Sequence, residues 1–144
     1  MCSSPRTAEF SYFDHEADIG VLSQGASPQE AFCSAAQATW NVIADLSTVE
    51  PLEELVLECE APTAEELLVE WLNRLLAEAD IRGWVFCEFR IESWSSGRLV
   101  GRALGEVLDM DKHRMKSEVK AATYCENRVW EEGGRWFCRF VIDV

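Results

Sequence analysis

The chain is short of positive charge. Against 26 Asp and Glu it sets 13 Lys and Arg, with two His, for a formal net charge of −13. An acidic surface repels phosphate backbones and gains no affinity from counterion release. Direct nucleic-acid binding is therefore not expected, and a basic protein surface is the natural electrostatic match. No run of about 18 apolar residues occurs, so no membrane-spanning helix is expected. The opening Met1-Cys2-Ser3-Ser4-Pro5-Arg6 lacks the apolar stretch of a secretion signal. Residues 1–8 read as a short polar tail and the protein as cytoplasmic.

Cysteine pairs are missing too. Cys2, Cys33, Cys59, Cys87, Cys125 and Cys138 include no C-x-x-C spacing. With no secretion signal they are expected to be mostly buried, reduced thiols, and a zinc site is not expected. The chain also lacks G-x-S-x-G, a Walker A loop, G-x-G-x-x-G and H-E-x-x-H. Neither His has an evident nucleophile partner. Nothing here supports a self-sufficient hydrolase or an organic cofactor.

What is present is enough for a core. The sequence is 48% hydrophobic, with six Trp and seven Phe among 144 residues. That length fits one domain, residues 9–144. Phe10 to His15 and Ile19 to Leu22 read as strands. Ser27-Pro28-Gln29-Glu30 has the N-cap, first-turn proline and acidic residue of a helix start. Phe32, Ala36, Trp40, Ile43 and Leu46 then follow at helical spacing, predicting one core-facing stripe and an end near Asp45-Leu46-Ser47. Leu52 to Cys59 reads as a strand. Pro62-Thr63-Ala64-Glu65-Glu66 opens a second helix, striped by Leu68, Trp71, Leu72, Leu75, Leu76 and Ala79 and stopped at Gly83.

Four strands follow. The first runs around Val85 to Ile91 and the second from Arg98 to Leu108, where Gly101 and Gly105 suggest bulges or a bend. Val119 to Trp130 is the third. Glu131-Glu132-Gly133-Gly134 is a hairpin turn before Trp136 to Ile142. There is no internal repeat. Strands clustered after helices predict an α+β fold: two helices packed on a mainly antiparallel sheet, in two layers.

Two acidic motifs stand near the ends. One is Asp14-His15-Glu16-Ala17-Asp18-Ile19-Gly20, and the other is Ile142-Asp143-Val144. If Trp136, Cys138, Phe140 and Ile142 face the core, Asp143 points the other way. Should the ends meet, Asp18, Asp143 and the carboxylate of Val144 converge. Such a set of oxygens suits a hard divalent cation such as calcium, manganese or magnesium. Asp18 read as a turn former and Asp143 as a solvated residue are the plain alternatives. Asp14 and His15 are further candidates, Asp14 beside the ligands or only ending its strand, and His15 as an imidazole ligand or as a group orienting a carboxylate. Asp109-Met110-Asp111-Lys112-His113-Arg114-Met115-Lys116 reads as an exposed charged connection. His113, Lys116 and the following Lys120 are candidate partner contacts.

Taken together, these blocks resemble the archease family. Phe13-Asp14-His15-Glu16-Ala17-Asp18-Ile19-Gly20 is similar to its D-H-T-A-D-I-G. Ser27 to Phe32, Asn41-Val42-Ile43, Leu67 to Asn73, Glu118 to Tyr124 and the closing Ile142-Asp143-Val144 resemble its later blocks in order. The resemblance implies a small α+β activator of an RtcB-type RNA ligase, the enzyme that seals tRNA halves and repairs RNA breaks with GTP and manganese. It implies promotion of ligase guanylylation and multiple turnover, no catalysis by the chain itself, and a metal site at Asp18, Asp143 and Val144. A stand-alone metal-dependent hydrolase and a general chaperone are the rival functions. Three positions depart from the pattern. Glu16 stands for the usual Thr, Cys125 for the usual His, and Val107 for a residue that is often polar.

Overall fold

The computed structural model describes residues 8–144, so the expected polar tail lies outside the described residues except for Ala8. The elements run β1 (Glu9–His15), β2 (Asp18–Gly25), α1 (Pro28–Ile43), β3 (Glu53–Glu60), α2 (Ala64–Arg82), β4 (Trp84–Ser95), β5 (Arg98–Val107), β6 (Ala121–Glu132) and β7 (Arg135–Asp143). This is the α+β arrangement expected, two helices on antiparallel strands. The strands divide into two sheets, ordered β1-β2-β7-β6 and β3-β5-β4. Spacing along a chain shows where strands are but not which ones pair, so the division was not readable in advance.

Local chemistry explains the helix ends. Ser27 Oγ accepts from the Glu30 N–H at 3.2 Å, with Pro28 behind it. Thr63 Oγ1 accepts from the Glu66 N–H at 3.1 Å. Both satisfy first-turn donors that the helix itself leaves unpaired. Gly83 closes α2 in the left-handed region, φ 69°. α1 ends earlier than its apolar spacing predicts. Ala44 is its C-cap, and Asp45 instead accepts from Ser47 N–H to start a short 3-10 turn at Leu46–Thr48.

α1 also buries more than one stripe. All ten residues from Ala31 to Trp40 are buried, because the helix packs on β1, β2 and β7 at one side and on β4 at the other. Ala31, Ala35, Ala36 and Ala38 allow that close approach. The core centres on Trp40, Trp71, Phe32, Phe86, Phe89 and Phe140. The bulges sit in β4, across from the glycines of β5. Register shifts fall between Phe86 and Glu88, beside Gly105, and between Ile91 and Ser93, beside Gly101. A Cβ on Gly105 would lie 1.9 Å from the Val85 carbonyl oxygen, and one on Gly101 would lie 2.5 Å from the Trp71 ring.

Two expectations are corrected here. Cys59, Cys87 and Cys138 are buried free thiols, but Cys125 is exposed and Cys33 is disulfide-bonded. The segment after β5 is not simply exposed, because His113 is 4% exposed. Its Nδ1 accepts from the Asp109 N–H at 3.0 Å, which leaves the ring proton on Nε2. That nitrogen lies 2.9 Å from Glu106 Oε2. His113 is thus an internal clamp and not a partner contact. Lys116 and Lys120 are exposed.

Glu106 is the centre of this clamp. It accepts from the Glu50 N–H at 2.7 Å and from Lys112 Nζ at 2.9 Å. The Glu50 N–H, with His113 and Lys112, holds its carboxyl well below 4.5, at about 2. A depressed carboxylate stabilises the fold above its unfolded pKa and loses that contribution as pH falls toward the folded value. The urea-midpoint gap between wild type and Glu106→Gln is therefore expected to be full above about pH 5. It should narrow as pH drops from there toward 2. A gap constant from pH 7 to pH 3 would contradict this reading of the clamp.

Candidate metal centre at one end of the four-stranded sheet

The β1–β2 hairpin and the last strand build one end of the larger sheet. His15 pairs with Asp18 across the hairpin. Ile19 pairs with Ile142, so the next rung of the same ladder sets Asp18 opposite Asp143. Asp143 in turn pairs with Ala121. Residues directly opposite in an antiparallel pair share a face. His15, Asp18, Asp143 and Ala121 therefore form one row across four strands, on the face away from Ile142 and Phe140. The two terminal motifs meet through strand pairing.

The row is electrostatically uncomfortable without a counter-charge. Like charges directly opposite one another destabilise a sheet. Among the described residues neither Asp18 nor Asp143 has an ion-pair or side-chain hydrogen-bond partner. Two carboxylates on adjacent strands, with His15 as the row's one basic group, fit a hard divalent cation. Val144 follows the strand, and its side chain packs against the core. Its main-chain oxygens remain beside Asp143 as further donors. Asp14 pairs with Ile19, so alternation puts it on the opposite face from this row.

A second group lies beside the row. β6 departs from its partner between Thr123, opposite Val141, and Arg128, opposite Arg139. Residues 124–127 thus face Phe140 alone, as a bulge of four residues against one. Glu126 sits in it at φ 54°, and Glu16 in the hairpin turn at φ 56°. Neither is glycine, so both carry backbone strain. The Cys125 N–H donates to Thr123 Oγ1 at 3.3 Å. Beyond the bulge, Asn127 donates to the Glu65 carbonyl at 3.0 Å, and Glu65 Oε2 accepts from Val129 N–H at 2.8 Å. Asn73 of α2 exchanges two hydrogen bonds with the Ala122 backbone, at 2.8 and 3.1 Å. Helix side chains thereby occupy part of the outer edge of β6 and fix where the bulge begins.

The bulge carries Glu126 to His15. His15 Nε2 lies 2.9 Å from Glu126 Oε2 and 3.9 Å from Cys125 Sγ. The Glu126 hydrogen bond raises the His15 pKa, and His15 in turn lowers that of Glu126. Arg139 adds to the latter through its charge, 3.5 Å from Glu126 Oε1, and it also donates to the Glu126 main-chain carbonyl at 3.1 Å while lying 4.5 Å over the Phe13 ring. Sequence reasoning named His15 and noticed Cys125, but not Glu126. The available signal was the polar run Cys125-Glu126-Asn127 interrupting an otherwise alternating strand.

Comparison with known proteins gives a consistent picture. The model of the Archease protein family (MTH1598/TM1083) matches residues 10–144. The chain is 42% identical over 137 residues to Protein archease of Thermococcus gammatolerans, covering 92% of this chain and 96% of that one. It is 37% identical to Protein archease of Sulfolobus acidocaldarius, covering 94% and 98%. Among solved structures it is similar to Methanobacterium thermoautotrophicum protein 1598, with TM-score 0.78, 32% identity and coverage of 94% and 98%. A Thermotoga maritima structure described as an archease and possible chaperone shares the fold, with TM-score 0.65 and 20% identity over 92% of this chain and 94% of that one. Among the described residues no helix is long and apolar enough to cross a membrane. From the hairpin motif to the closing Asp143-Val144, this chain belongs to the archease family.

Proposed function

We propose that this protein is a non-catalytic accessory factor of an RtcB-type RNA ligase, working in the cytoplasm. In this reading it promotes GTP-dependent guanylylation of the ligase and its multiple turnover in tRNA splicing and RNA repair. The observation that carries the proposal is the Ile19–Ile142 pairing, whose next rung sets Asp18 opposite Asp143 at the sheet end, in a chain of the archease family. Asp18, Asp143 and a main-chain oxygen of Val144 would hold the divalent cation. When bound, that ion supplies positive charge at the tip of an otherwise acidic protein.

The chain's own groups then have separate tasks. Asp18 and Asp143 come from adjacent strands, so the ladder fixes their separation before any ion arrives. His15 is held by Glu126 one strand away from Asp18, limiting how the row can rearrange. The charge of −13 favours approach to a basic, phosphate-binding cleft on the ligase. Lys116 and Lys120 are exposed and remain candidate contacts. Exposed Val107 can offer only an apolar contact where relatives of this family are expected to place a polar one.

The direct test is guanylyl transfer. Labelled GTP and manganese are mixed with the cognate ligase, with and without this protein, and protein-bound label is followed in time. The expected result is faster and more complete labelling of the ligase, with none on the accessory protein. Label on this chain, or release of phosphate by this chain alone, would instead mark it as an enzyme.

A further inference from the structure

Beside the carboxylate pair lies a donor set of different character. His15 Nε2, Cys125 Sγ and a Glu126 carboxylate oxygen all fall within 4.8 Å of one another. A tetrahedral zinc-type ion, with bonds of about 2.0–2.3 Å, holds such ligand atoms roughly 3.3–3.6 Å apart. The observed 2.9 Å from nitrogen to oxygen and 3.9 Å from nitrogen to sulfur bracket that range. Cys125 and Glu126 are both exposed, so small side-chain rotations suffice to reach it.

We propose that His15, Cys125 and Glu126 form a second cation site, selective for a borderline-soft transition ion of the zinc class. The absence of paired cysteines argued against zinc, but the fold brings together ligands 110 residues apart in the chain. Thiolate and imidazole favour such ions, whereas Asp18 and Asp143 offer oxygen alone. Three protein donors leave one position for water or for a partner's group. His15 Nδ1 is shielded from solvent, on the far side of the ring from Cys125 and Glu126. The β6 bulge and the left-handed Glu126 are what aim these side chains at His15, and strain of that kind concentrates at functional sites.

Binding involves protons and no change of oxidation state. The thiol releases its proton to solvent and coordinates as thiolate. The ion takes the place of the proton between His15 Nε2 and Glu126, and the ring binds neutral with its proton on Nδ1. The proposal does not rest on the ligase reading, since it concerns other residues and another class of ion.

Cobalt(II) is the probe. Added to the full-length protein, it is expected to give a near-ultraviolet thiolate-to-cobalt charge-transfer band that saturates at one ion per chain. The band should vanish in Cys125→Ser, require at least about tenfold more cobalt in His15→Ala, persist in Asp18→Ala, and be displaced by zinc. Because Cys125 is exposed, the serine variant is expected to fold. Absence of the band in wild type, or its survival in Cys125→Ser, would overturn the proposal.

Discussion

Asp18→Ala and Asp143→Ala are expected to fold as wild type does, yet to lose tight divalent-cation binding and ligase activation together. Both side chains stand at a sheet end rather than in the core, and neither makes a hydrogen bond that the fold would miss. Each substitution removes one of two facing charges. The apoprotein should therefore be no less stable, and relief of cross-strand repulsion should raise its melting temperature slightly. The cation response separates the variants from wild type. A ligand that binds only the folded state stabilises it in proportion to the logarithm of its concentration over Kd. Adding calcium or manganese should raise the wild-type melting temperature and leave both variants unmoved. In calorimetric titrations their affinity should fall by about tenfold or more, which is roughly 1.4 kcal/mol or above. Variants that melt early without any cation would instead assign the aspartates to stability.

The second large effect concerns Trp71. Its side chain is fully buried, its Nε1 donates to the Phe32 carbonyl at 3.2 Å, and its ring covers Gly101. It therefore ties α2 to α1 and to β5 at once. Trp71→Ala is expected to cost about 3–5 kcal/mol in urea unfolding, the usual range for a buried aromatic truncated to alanine. Trp71→Phe keeps most of the apolar contact and loses the hydrogen bond, and should cost about 1–2 kcal/mol. Because Gly101 is shaped to the indole ring, enlarging it will not rescue Trp71→Ala unless the new side chain fills the vacated volume. A loss below about 1 kcal/mol for Trp71→Ala would mean that the junction relaxes around the gap.

The parts of this molecule that sequence could reveal are those governed by neighbours in the chain. Ser27, Thr63 and Gly83 cap helices through atoms a few residues away, and their chemistry is local. The alternation in β7 correctly separated Cys138, Phe140 and Ile142 from Asp143. What was hidden depends on partners far away. The ten-residue buried run of α1 follows from its contacts on two sides, which no single amphipathic stripe can announce. His113 sits among charged neighbours in sequence, yet Glu106 draws it inside. The β6 bulge contains no glycine, so nothing marked it as a break, and it alone brings Cys125 and Glu126 to His15. The two aspartates were visible as candidates at opposite ends of the chain. Their adjacency required the β2–β7 register.

The most direct test of the central claim is RNA sealing by the cognate RtcB-type ligase at limiting enzyme, with GTP and manganese present. Wild-type protein and Asp18→Ala are compared at equal concentration, after circular dichroism shows both folded. The account predicts about one product per ligase without the accessory protein, many with wild type, and about one again with Asp18→Ala. Equal stimulation by the two proteins would contradict a role for the Asp18–Asp143 pair. No stimulation by either, with the ligase active, would contradict the accessory function itself.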